Sequence, residues 1–286
     1  MRYFISLILL IFSFLTYNYI PIIEEKPNES INNEIFYNGM RLVNYDLIND
    51  EYSYFNNTDN QFQYYIPNSD NYYFNGNSIT NNFKLIRVYD NSIEEICHFP
   101  SSEGTFPINK VNNYIYFIHC YYNSDKPTEE FVNKRCIARY DLETNTYHNI
   151  RDLNANIYYG EANEENIFYS TPNIDSTFNI YKYNITNKTI ETIYNNLDSY
   201  RFIIVDNQVL PLTNSEYTNG SQTIDAGFEN YHDGDYLIQV NGYDIVIINL
   251  RKNTTTEFDN CFAIKGYDNK YQIISRDKEI YYYNKI

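Results

Sequence analysis

The residues best suited by type to do chemistry cluster between Leu212 and Asp235, where Asp225, Glu229, Tyr231, His232, Asp233 and Asp235 fall close together. An Asp-Gly-Asp step at 233–235 with Asp225 nearby supplies hard oxygen ligands of the kind calcium takes, though without the spacing of an EF-hand loop. A second group, Tyr121, Tyr122, Asp125, Glu129 and Glu130, pairs rings that could stack on a sugar or peptide with carboxylates that could accept hydrogen bonds. His98, His119, His148 and His232 have no metal-ligand spacing to one another, and His119 sits inside an apolar run, as a satisfied core histidine would. There is no G-x-S-x-G nucleophile elbow, and the 9 glycines form neither a phosphate-binding loop nor a dinucleotide fingerprint. Two carboxylates for glycoside hydrolysis could be assembled from 37 acidic residues, but spacing does not choose them.

Such residues need a frame, and the composition says which kind. The chain has 286 residues with 34 Tyr, 18 Phe, 44 Asn, 5 Ala and no Trp, a mix that favours strands and turns over helices. Hydrophobic content of 43% excludes intrinsic disorder. A net charge of −16 argues against a nucleic-acid partner, which would need the opposite sign. Six N-x-S/T sequons, at Asn28, Asn56, Asn184, Asn187, Asn219 and Asn253, carry little weight in so Asn-rich a chain.

The strands come in repeats. A strand ending in Asp or Asn and followed by a turn recurs with its marker at Asp46, Asp90, Asp141, Asn184, Asn249 and Asn284. Before each lies a second marker, a polar turn leading into a short apolar strand: NNEIFY, DNYYF, NNYIYFI, ENIFY, DNQVL and DNKYQII. The best copies read as four-stranded antiparallel meanders with an apolar middle and a more polar outer strand, which must stack radially to bury both faces. The 254 residues from Asn33 to Ile286 allow about 42 per unit for six units.

The copies of Y-[D/N]-[L/I]-x-x-[N/K]-T resemble the six-bladed TolB-like β-propeller superfamily, over nearly all of the chain after residue 30. The resemblance implies an all-β fold, a β-propeller of six (alternatively seven) four-stranded antiparallel blades, with the motif as third strand, turn and start of the fourth. The 65-residue interval between Asn184 and Asn249 reads as an insertion in the fifth blade over Thr213–Asp235, or as a degenerate seventh blade. Around Ile20–Ile31 a closing strand is expected. A sialidase-type propeller is excluded because its Asp-box ends in Trp. Long second-to-third connections, at 75–82, 121–134, 172–177 and 212–235, would all fall on one face, the natural binding face.

At the N-terminus, Arg2 precedes the apolar run Tyr3–Leu15, as in a signal peptide or an uncleaved signal-anchor helix. Residues 1–25 are assigned to that N-terminal hydrophobic helix and 26–286 to the propeller, placed extracytoplasmically, cell-surface-anchored or secreted. Cys97, Cys120, Cys136 and Cys261 form no C-x-x-C pair, and Cys120 and Cys136, on adjacent strands, could form a disulfide.

The expected function is a monomeric, exported binding or scaffold module for a protein, peptide or glycan. Its binding residues are Tyr121, Tyr122, Asp125, Tyr231 and His232 on the long-loop face, and the membrane is contacted through the N-terminal segment. No organic cofactor is expected; calcium at Asp225, Asp233 and Asp235 is the candidate ion. The alternative is a metal-dependent propeller hydrolase or lactonase acting at the central channel.

Overall fold

The computed structural model describes residues 33–37, 42–46, 49, 51–54, 62–65, 72–76, 84–89, 92–98, 103–121, 134–153, 157–214, 216–218, 223–225, 230–240, 243–267 and 269–285. The N-terminal segment 1–25, the closing strand expected within 20–31, and the connections 77–83 and 122–133 lie outside the described residues. Among the described residues all regular elements are β-strands, and no helix is long and apolar enough to cross a membrane.

Strands β1–β3 are Asn33–Tyr37, Leu42–Asp46 and Glu51–Tyr54, and β4–β7 are Phe62–Tyr65, Tyr72–Gly76, Lys84–Tyr89 and Ser92–His98. The next unit, β8–β11, comprises Glu103–Val111, Tyr114–Tyr121, Lys134–Asp141 and Thr146–Leu153. It is followed by β12–β15, at Tyr159–Ala162, Asn166–Pro172, Phe178–Asn184 and Ile190–Leu197. Strands β16–β19 are Phe202–Val205, Gln208–Thr213, Glu216–Thr218 and Thr223–Asp225. The last seven are β20–β23 (Asn230–Asp233, Tyr236–Val240, Ile245–Asn249, Thr254–Phe258) and β24–β26 (Cys261–Gly266, Lys270–Ser275, Ile280–Asn284).

These make five four-stranded antiparallel meanders, β4–β7 through β20–β23, and one six-stranded sheet ordered β26-β25-β24-β1-β2-β3. Among the described residues the propeller therefore has five four-stranded blades, which corrects the expectation of six uniform ones. The sixth sheet joins the chain's first and last strands through one antiparallel pair, Tyr37↔Ile264. A second correction concerns 213–235, which is no insertion: it carries β18, β19 and β20, and β16–β19 form a blade of their own. Only its β16–β17 turn, within DNQVL, entered the repeat, because β18 and β19 are three residues each and the third strand, EYT, does not end in the Asp or Asn that marks the other copies.

The marker itself has a local cause. Asp141 Oδ1 accepts from the N–H groups of Glu143 (2.9 Å) and Thr144 (3.2 Å), and Asn184 Oδ1 accepts from Thr186 (3.1 Å) and Asn187 (3.0 Å). Asp46 and Asn249 do the same for Asn49 and Lys252. Each is an Asx turn, closing a third strand onto a fourth at Asp141, Asn184 and Asn249 and β2 onto β3 at Asp46. Asn145, Lys188 and Asn253 complete three of these turns in the left-handed region (φ 54, 59 and 50), which asparagine tolerates best among residues with a side chain.

Face-to-face stacking builds the core. Leu85 of one blade packs with Ile115, Phe117 and Ala138 of the next. Ile108, Tyr116 and Ile118 then meet Ile167, Tyr169 and Tyr183 of the following blade. Phe168 and Ile180 pack against Phe202 and Val209, and Ile203, Leu210 and Tyr217 against Leu237 and Ile248. Ile238 and Ile247 reach Ile264, Tyr271 and Ile273, and Phe36, Val43 and Tyr45 cover Phe262 and Ile274. Second strands such as β13 are buried on both faces because a sheet lies on each side, whereas β15 at the rim is mostly exposed.

No disulfide joins Cys120 and Cys136. Across the β9–β10 ladder Cys120 stands opposite Arg135 and Cys136 opposite His119, one register step apart, so the pleat turns the two thiols to opposite faces. Burial, the largest influence, pushes the Cys120 thiol up to about 11, which keeps it protonated and unreactive. A reducing agent should accordingly leave the melting temperature unchanged; a drop of several degrees would reveal a bridge.

Candidate axial polar site

The first strands of four successive blades, β8, β12, β16 and β20, converge on a cavity of about 260 Å³ lined by Asn109, Glu161, Ile204 and His232 among others. Short turns set its mouth. Asp206 and Asn207 form the two-residue β16–β17 hairpin with φ 48 and 61, the all-positive geometry of a type I′ turn that suits Asp and Asn. Gly234 (φ 58) occupies the first turn position between β20 and β21. Arg251 enters from the β22–β23 turn.

Glu161 and His232 are both buried, with Oε2 3.3 Å from Nδ1, although the approach is not well aligned for a hydrogen bond. The other Glu161 oxygen accepts from the Tyr159 hydroxyl at 2.7 Å. Burial by itself would lower the His232 pKa. The Glu161 carboxylate, then Asp233 and the Gly234 carbonyl, more than offset this and raise it above 6.5. A histidine raised in this way stabilises the fold fully below its unfolded pKa, and the contribution disappears as pH rises through the folded value. Replacing Glu161 with Gln should bring the His232 pKa down and flatten the loss of stability above pH 6.5. Imidazole NMR titration with urea unfolding at several pH values would show it; an unaltered profile would mean that Glu161 does not hold the charge.

Asn109 donates to the Ala162 carbonyl at 2.7 Å, but its buried Oδ1 has no partner, nor does either ring nitrogen of His232 complete a hydrogen bond. Buried polar groups are normally satisfied, so these atoms have hydrogen-bonding capacity left for a water or a ligand. At the rim the charges are paired among themselves: Arg251 lies 3.0 Å from Asp235 and 3.5 Å from Asp206.

Of the binding residues read from the sequence, His232 lines this cavity and Tyr231 precedes it on β20, where its ring meets Tyr37 edge-on at 5.8 Å. Both therefore sit on an inner strand, not in a long loop. In a meander the cavity turns lie at the opposite end from Tyr121, which ends β9. Tyr122 and Asp125, and the side chain of Tyr121, lie outside the described residues.

Of the three aspartates read as calcium ligands, two have other partners among the described residues. Asp233 accepts from the Tyr271 hydroxyl at 2.5 Å and from Lys285 Nζ at 2.9 Å, whereas Asp235 pairs with Arg251. Asp225 belongs to β19, the fourth strand of its blade, and its side chain is outside the described residues. Among the described residues no three His, Cys, Asp or Glu side chains converge as a metal-binding group. His119 is the satisfied core histidine that its strand suggested, 2.8 Å from the Tyr147 hydroxyl.

Glu161, Asn109 and Arg251 were not singled out by sequence. A carboxylate at Glu161 inside the short first strand YGEA was the available signal, since a buried acid is rare without a partner.

The opposite end carries an exposed aromatic cluster. Tyr158, Phe178 and Tyr200 have ring centroids 5.5–5.7 Å apart, with Tyr158 46% and Tyr200 38% exposed.

No family model matches the sequence, and no curated protein matches it. Among solved structures it is similar to an oligogalacturonate lyase in complex with manganese (TM-score 0.47, 11% identity, 85% of this chain and 82% of that one). It is also similar to TolB from Acinetobacter baumannii (TM-score 0.38, 11% identity, 88% and 63%). A third is the Pyrococcus horikoshii acylaminoacyl peptidase (TM-score 0.48, 9% identity, 85% and 46%). At such identities no residue role passes from these proteins to this chain.

Proposed function

We propose that the protein is an exported binding propeller that receives a polar group of a peptide or glycan in the axial cavity at its tight-turn end. The observation that carries this reading is the unpartnered Asn109 Oδ1 and His232 ring at a cavity built from four inner strands. Rigid strands supply these groups, so their orientation is set before a ligand arrives. A second reading is favoured by the Tyr158, Phe178 and Tyr200 rings, which could stack on a ligand at the opposite face.

Thermal melts against neutral oligosaccharides and short peptides separate the two. Ligand at one hundred times its dissociation constant should add about 2.7 kcal/mol. The shift should vanish in Asn109→Leu and survive in Tyr158→Ala. The reverse pattern would move the site to the aromatic face, and turnover of a saccharide, ester or lactone would replace binding by hydrolysis.

A further inference from the structure

Within the reading that the axial cavity is the binding site, we propose that its ligand is an uncharged polyhydroxy compound, such as a glycan end, held by hydroxyl groups at Asn109 and His232. The charge bookkeeping of the cavity selects the chemistry. Every carboxylate at the site has a partner: Glu161 faces His232 and accepts from Tyr159, and Asp206 and Asp235 flank Arg251. An ammonium ligand would find no unpaired countercharge, and an anionic ligand would meet three acidic side chains against one arginine and one histidine.

The groups that complete no hydrogen bond are the Asn109 amide oxygen and the nitrogens of the His232 ring, which has only the charge of Glu161 beside it. An amide oxygen needs a donor, and an imidazole with one nitrogen turned to Glu161 offers its other nitrogen to a partner. A hydroxyl group donates and accepts at once, so a compound bearing several can satisfy both. The volume of about 260 Å³ far exceeds the ~10–15 Å³ that a single water requires, so several ligand atoms can enter. Asn207 extends the same character to the lining, where its Oδ1 accepts from Asn163 at 2.8 Å.

The test titrates the full chain with methyl glucoside, glucuronate and methylammonium while following the ring nitrogens of His232 by NMR. Methyl glucoside should move the His232 signals saturably, show an NOE to the ring protons, and bind about tenfold more weakly to Asn109→Leu. The NOE in the unsubstituted protein keeps the result readable if Asn109→Leu perturbs the fold. A charged probe that moves His232 while methyl glucoside does not would overturn the hydroxyl chemistry and leave the cavity as the site. If none of the three reaches His232, the cavity reading and this proposal both fall.

Discussion

Replacing Asp233 with Ala should cost about 3–5 kcal/mol of stability, the usual penalty for breaking a buried ion pair from one side. The carboxylate holds Lys285 Nζ at 2.9 Å and the Tyr271 hydroxyl at 2.5 Å, with side-chain exposures of only 5% for Asp233 and 12% for Lys285. Lys285 also donates to the Tyr267 carbonyl and lies 4.4 Å from the centre of the Tyr271 ring. Without Asp233 the half-buried ammonium loses the carboxylate that it pairs with among the described residues. This contact ties the end of the last strand to β20, the strand that carries His232, so it fastens the last sheet to the blade before it and steadies the site. Urea unfolding measures the effect, and Asp233→Leu combined with Lys285→Met should recover most of the loss because neither charge then remains. A loss below about 1 kcal/mol in the single variant would show the pair to be solvated.

Phe202→Ala should cost a similar amount, about 3–5 kcal/mol, from lost transfer free energy and the cavity left behind. Phe202 is 0% exposed between two blades, packed with Phe168, Ile180 and Val209. Its ring meets Tyr159 edge-on at 5.1 Å, and Tyr159 donates to Glu161. The variant should therefore also loosen the support of Glu161 and lower the His232 pKa, as Glu161→Gln does. A destabilised protein with an unchanged histidine titration would show that Tyr159 is held from elsewhere.

Much of the architecture was legible because its causes are local. The Asp or Asn closing a third strand acts on N–H groups two and three residues away, so the same residue type recurs wherever that turn recurs. The apolar runs of β9 and β13 announced strands covered on both faces. The reading failed over 213–235 for the same reason. A blade whose strands shrink to three residues has too little periodicity to register, and without it His232 and the Asp-Gly-Asp turn looked like loop.

Composition, turn chemistry and strand period by themselves determined an all-β chain of antiparallel meanders stacked into a propeller, since each depends on neighbours within a few residues. Tertiary structure alone decided the number of four-stranded blades, the joining of first and last strands in one sheet, and the site. Asn109 and Ala162 are 53 residues apart and touch only because β8 and β12 both run along the axis. Glu161 and His232 meet across two blade boundaries for the same reason. Radial closure brings first strands together whatever their separation in the chain, and no spacing rule in the sequence encodes that.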